Sequence, residues 1–119
     1  MEFLFKASPS MLYNFLTTPS CLVRWFCDEV DIQDDVFTFY WEGHGEKAIL
    51  LEDKPGELLR FRWEETEDED EYFEYRLSTS GVTNETLLLL TDFADEGEVD
   101  DQKQLWDRQI TTLRQETGG

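Results

Sequence analysis

The chain has 119 residues, 28 of them Asp or Glu against 10 Lys or Arg, for a formal net charge of −18. That length suits one domain over residues 1–119 and is too short for two ordinary cores. The field has the wrong sign for a counterion-releasing contact with nucleic acid or for attraction to an anionic membrane surface. Only 39% of positions are hydrophobic, but nine Phe, four Trp and four Tyr carry large apolar areas, which argues against disorder despite the charge.

In chain order, residues 2–6 read as a short strand with Phe3 and Phe5 on one face. Ser8 and Pro9 then supply a capping hydroxyl and a proline for the first helical position. Met11, Leu12, Phe15 and Leu16 follow at helical spacing, and Thr17-Thr18-Pro19 stops the run. A second short helix is expected over 19–25, packing Leu22, Trp25 and Phe26 against the first.

Beyond this point the period changes to two. Strands are expected over 30–33, 36–42, 47–52, 58–65, 72–79 and 85–93, with turns at Asp34-Asp35, Gly43-His44-Gly45, Lys54-Pro55-Gly56-Glu57 and Ser80-Gly81. Short connections of this kind make an antiparallel meander. Leu59, Phe61 and Trp63 alternate with Arg60, Arg62 and Glu64, and Phe73, Tyr75 and Leu77 alternate with Tyr72, Glu74 and Arg76. One face is therefore aromatic, and the other pairs arginines with glutamates across strands. Leu87 to Leu90 is apolar on both sides, which suits a strand covered on both faces or one edged by a partner.

The last element is a helix over 99–115, with Asp100 and Asp101 in its first turn and Arg114 near its end, as the macrodipole favours. Val99, Trp106, Ile110 and Leu113 form its apolar stripe, with Leu105 beside it. The aromatic face of the sheet needs a cover, and this stripe is the one long enough to supply it. The fold class is accordingly α+β: a curved antiparallel sheet of six to seven strands, two short helices after the first strand, and a long C-terminal helix across the concave face.

Three segments carry a family likeness: KASPSMLYNFLTTPSCLVRWF at 6–26, RFRWEE at 60–65 and LLLLTDFADEGEVDDQKQLWDRQITTL at 87–113. With the element order, they resemble the helix-grip fold of the START-like (SRPBCC, Bet v 1-like) superfamily, most closely its small acidic members near the Hsp90 ATPase activator-like group. The resemblance implies a cavity between sheet and last helix. Relatives use this space for sterols, lipids or polyketides, or use the domain to contact a protein. The first strand and last helix are short here, which implies a small cavity or one filled by the chain's own aromatics.

The expected ligand-cavity residues are Trp25, Phe39, Trp41, Phe61, Trp63, Phe73, Tyr75, Leu89, Trp106 and Ile110. Such pockets are mostly apolar, with a few polar groups to orient the ligand. Trp25 has a second reading, in which it closes one end of the sheet. Glu64, Glu65, Glu67, Asp68, Glu69, Asp70 and Glu71 form an acidic rim at a hairpin tip; they lack the spacing and glycine of a calcium loop and could face a basic protein.

Cys21 and Cys27 match neither a redox pair nor a zinc knuckle and read as free thiols. His44, the one histidine, reads as a solvated loop residue, and no nucleophile motif accompanies it. No metal, cofactor or catalytic set is expected. No basic-then-apolar segment opens the chain and no apolar stretch is long enough to span a bilayer, so a cytoplasmic location is expected. These readings converge on non-enzymatic binding of a small hydrophobic ligand between sheet and helix. An interaction module using the acidic rim is the alternative, and a cyclase-type enzyme comes third. No charged side chain is expected on the aromatic face. The oligomeric state is not readable from the residues.

Overall fold

In the computed structural model, which describes residues 1–118, seven strands form one antiparallel sheet ordered β1-β7-β6-β5-β4-β3-β2. The strands are β1 (Glu2–Phe5), β2 (Glu29–Gln33), β3 (Val36–Trp41), β4 (His44–Lys54), β5 (Leu58–Trp63), β6 (Phe73–Thr79) and β7 (Thr86–Thr91). Helices α1 (Pro9–Thr17) and α2 (Pro19–Leu22) follow β1. A 3₁₀ turn, Glu96–Glu98, leads into α3 (Val99–Glu116). β2 to β7 are joined in sequence as a meander. β1 pairs with β7, and the Met1 ammonium donates to the Leu90 carbonyl at 2.9 Å.

Ser8 caps α1, its hydroxyl accepting from the Met11 N–H, with Pro9 in the first turn. Helix α2 is shorter than expected and ends at Leu22. The next four residues form turns that bring both Trp25 and Phe26 inward, at 6% and 5% exposure. The Leu22 carbonyl accepts from the N–H groups of Phe26 and Cys27 as this corner closes.

The β3–β4 hairpin departs from expectation. Its loop is the two residues Glu42 and Gly43, both at positive φ (52° and 80°), so His44 and Gly45 belong to β4 and Trp41 pairs with His44. A two-residue loop with both dihedrals positive matches the twist of the flanking strands. β4 is correspondingly longer than expected, with a register irregularity between Leu50 and Glu52.

Leu88 and Leu90 point into the core, whereas Leu87 and Leu89 are half-exposed on the outer face. β7 lies between β1 and β6, so its edges are filled by this chain's own strands. The inward register of β7 is anchored by Thr86, buried at 2% exposure, whose hydroxyl donates to the Ala7 carbonyl at 2.6 Å.

α3 buries Trp106, Ile110 and Leu113, at i, i+4 and i+7. Two expected stripe members differ: Val99 and Leu105 are 38% and 43% exposed. Leu105 lies one position off that row, and Val99, seven residues before Trp106, falls in the row but is the first residue of the helix. The far end of α3 reaches β1, where the Arg114 guanidinium donates to the Leu4 carbonyl and lies 5.2 Å from the centre of the Phe5 ring. Among the described residues, no helix is long and apolar enough to cross a membrane.

Candidate functional site

Beneath the middle of the sheet there is little free space. Phe61, Phe73 and Tyr75 are each no more than 3% exposed, and the Phe61 and Phe73 rings stack at 5.0 Å. Phe37 meets Phe61 edge-on at 5.0 Å, and Trp106 closes on Tyr75 from above at 6.1 Å. The expected cavity is thus filled at its centre by its own aromatics.

Space remains at one end, where the first half of α3 stands off from β3, β4 and β5. A groove of about 430 Å³ there is lined by Trp41, Trp63, Trp106 and Phe26, with the partly exposed Leu105 on its helix side. Glu46, Lys47, Glu65, Gln102 and Gln109 complete its walls. β3 delivers Trp41 and β5 delivers Trp63, their ring centres 6.2 Å apart and their planes inclined by 56°. Phe26 meets the Trp41 ring at 5.4 Å and stacks on Trp106 at 6.1 Å.

Two of the indoles are held in place through their nitrogens. Trp41 Nε1 donates to the Phe26 carbonyl at 2.7 Å, and Trp106 Nε1 donates to Asp92 Oδ2 at 2.8 Å. The Gln102 amide donates to the same Asp92 oxygen, and the Gln109 amide to the Phe26 carbonyl. The polar contacts that fix the walls are therefore within the protein, and the apolar faces are left to form the groove.

Of the ten residues expected at a ligand cavity, three line this groove: Trp41, Trp63 and Trp106. Phe39, Phe61, Phe73, Tyr75 and Ile110 are core residues behind it; Phe39 backs both Trp41 and Trp63, at 6.0 and 5.9 Å. Trp25 is buried, with its Nε1 donating to the Phe15 carbonyl at 2.8 Å, and is not on the groove lining. Leu89 is corrected outright. It sits on the outer face opposite Glu2 and Arg76, because the alternation set by Thr86, Leu88 and Leu90 turns it away from the core.

The expectation of an uncharged aromatic face is also corrected: Glu46 pairs with the inward Phe39 and lines the groove, as does Glu65. The rest of the acidic rim lies along an exposed hairpin tip, where the Asp68 carboxylate accepts from the Asp70 N–H. His44 is exposed, at the start of a strand rather than in a loop.

Three groups are pushed toward their neutral forms. Burial, then the charge of Asp92 and then Cys27, raises the Tyr75 phenol well above its ordinary value. Burial and the charge of Asp28 push the Cys27 thiol up to about 11. Burial, with a hydrogen bond to Asp53 and its charge, raises the Tyr13 phenol to about 12. None of the three lines the groove.

A sheet gripping a C-terminal helix, with an aromatic groove at one end, defines a helix-grip domain. The model of the START-like superfamily domain matches residues 1–119, and the chain belongs to that superfamily. The solution structure of BfR322 from Bacteroides fragilis is similar at 35% identity and a TM-score of 0.69, over 100% of this chain and 89% of that one. The Aha1 dimer of Colwellia psychrerythraea shares the fold at 17% identity and a TM-score of 0.83, over 98% and 92% of the two chains. CalU16 from Micromonospora echinospora does so at 23% identity and a TM-score of 0.72, over 95% and 69%. Among curated proteins, none matches the sequence.

Proposed function

We propose that this domain is a non-enzymatic receptor for a small, largely apolar molecule, held between α3 and the end of the sheet. The observation that carries this reading is the groove itself. Its volume of about 430 Å³ falls in the range of ligand sites, and three indoles and a phenyl ring supply an apolar lining. Burial of ligand surface against those rings supplies the affinity, and the few polar groups on the walls supply orientation.

The test is a titration with the neutral fluorophore N-phenyl-1-naphthylamine, following energy transfer from the tryptophans. Saturable one-site binding is expected, strongly weakened by Trp63→Ala and unaffected by Leu89→Ala on the outer face. Absence of saturable binding, or equal binding by the Trp63→Ala protein, sinks the reading.

A further inference from the structure

Taking the groove as the binding site, we propose that its ligand is an organic cation: a small molecule whose trimethylammonium-type group sits among the indoles of Trp41, Trp63 and Trp106. The ring geometry is the first support. Trp41 and Trp63, 6.2 Å apart and inclined by 56°, are both only half-buried and both on the lining, so part of each indole is open to the groove. A cation within about 6 Å of an indole centre is attracted by the negative face of the ring, and an alkylated ammonium meets the apolar and the electrostatic demands of such a site together.

The second support is what the polar walls have left to give. The nitrogens of Trp41 and Trp106 are engaged with the Phe26 carbonyl and Asp92, and the Gln102 and Gln109 amide nitrogens with Asp92 and the Phe26 carbonyl. One N–H of each amide is engaged in this way, and the lining offers as acceptors the two amide oxygens and, as its charged ones, the carboxylates of Glu46 and Glu65. Lys47 is the one cation on the lining among the described residues. It pairs with Thr38, one position out of step with the inward Ala48, so it meets the groove only from the rim.

Charge decides between ligand classes. An anion would approach two carboxylates on a chain of net charge −18. A neutral apolar ligand would strip water from those carboxylates and return nothing. A cation is drawn by the overall field and compensates the carboxylates it desolvates.

The experiment compares choline with its neutral isostere 3,3-dimethylbutan-1-ol, and decyltrimethylammonium below its micelle concentration with decanol, by tryptophan fluorescence and indole N–H shifts at low salt. Each cation is expected to bind at least about fivefold tighter than its neutral counterpart. Equal affinity of the two cations places the recognition in the head group, and tighter binding of the decyl compound adds its chain to the same site. The Glu46→Gln/Glu65→Gln double variant should weaken the cations by roughly two- to tenfold and leave the neutral compounds unchanged, and high salt should do the same. Trp63→Ala should abolish the preference, whereas Glu29→Gln, which removes one charge from the outer face, should not. Neutral compounds binding as tightly as the cations, or cation binding indifferent to Glu46 and Glu65, overturns the proposal. If N-phenyl-1-naphthylamine still binds in that case, only the ligand class is wrong; if neither it nor the cations bind, the groove reading fails as well.

Discussion

The indole nitrogen of Trp106 donates to Asp92 Oδ2 at 2.8 Å, tying the middle of α3 to the chain just beyond β7. The Asp92 carboxylate also takes the Gln102 amide on one oxygen and the Phe93 N–H on the other. Trp106 is only 4% exposed, so its N–H loses its hydrogen-bond partner within the protein if Asp92 is removed. Asp92→Ala is therefore expected to lower stability by about 1–3 kcal/mol, and Asp92→Asn, which keeps an acceptor oxygen, by less. Urea unfolding measures both. A double-mutant cycle with Trp106→Phe should show coupling of about 1 kcal/mol, and no coupling would mean that the bond does not hold the helix.

On the outer face, Glu74 is 4% exposed and both its oxygens are taken. Arg60 donates to Oε1 from Nε at 2.9 Å and Nη2 at 2.6 Å, and Arg76 Nε donates to Oε2 at 2.9 Å. That hydrogen bond raises the Arg60 guanidinium further above its already high value. Arg60→Ala should cost roughly 3 kcal/mol, because it leaves a buried carboxylate half-compensated. Arg76 is half-exposed, and Arg76→Ala should cost no more than about 1 kcal/mol. Glu74→Met should cost less than Arg60→Ala, since both arginines can then turn to water. The reverse order in chemical denaturation would show that the network is a surface pairing.

The strands and the meander of β2 to β7 were legible because the aromatic alternation in β5 and β6 is unbroken, and the final helix because it carries buried residues in one spacing row; the pairing of β1 with β7 was not. The site was legible only in part, for two reasons. A turn over Gly43, His44 and Gly45 sets Glu42 opposite Glu46, whereas the two-residue loop sets Phe39 opposite Glu46. Those pairings differ by an odd number of residues, which flips every side chain of β4 to the other face and hides Glu46 from the aromatic side. Four consecutive leucines likewise carry no alternation, so the face of Leu89 is set by its cross-strand partners Glu2 and Arg76 and by Thr86, whose inward hydroxyl bonds to Ala7 far away in sequence. Phe26, Gln102 and Gln109 were missed because their position depends on where α3 crosses the sheet.

The two cysteines should differ in reactivity. The Cys27 thiol is buried beside Asp28, pushed up to about 11, and contacts the Leu22 carbonyl at 3.9 Å. At pH 8 only on the order of one in a thousand Cys27 thiols is then ionised, and thiolate is the reactive form. Cys21 is half-exposed. Iodoacetamide at pH 8 should give a single adduct on Cys21 by intact and peptide mass, with Cys27 modified only after unfolding in urea. Equal labelling of both in the native protein would contradict the buried setting of Cys27.

Alkaline instability follows from the same neutral groups, and its sign is fixed. Cys27 shifts from an ordinary 9.0 to about 11, Tyr13 from 10.0 to about 12, and Tyr75 well above 10.0, so in each case the unfolded chain loses its proton first. Their contribution is fully present below the unfolded values and is lost as pH rises through the folded ones. The urea midpoint should therefore be unaffected by these groups below about pH 9, decline first with Cys27, and steepen above pH 10 as the tyrosines join. Tyr75 separates its own share. Tyr75→Phe removes the titrating hydroxyl and keeps the buried ring, so it should cost less than about 1 kcal/mol at pH 7. The variant should then lose less stability than the parent between pH 10 and 12, and its curve should cross or approach the parent's in that interval. Parallel curves across the whole range would show that the Tyr75 phenol ionises as readily in the folded protein as in the unfolded chain, and that the aromatic core around it is open to water.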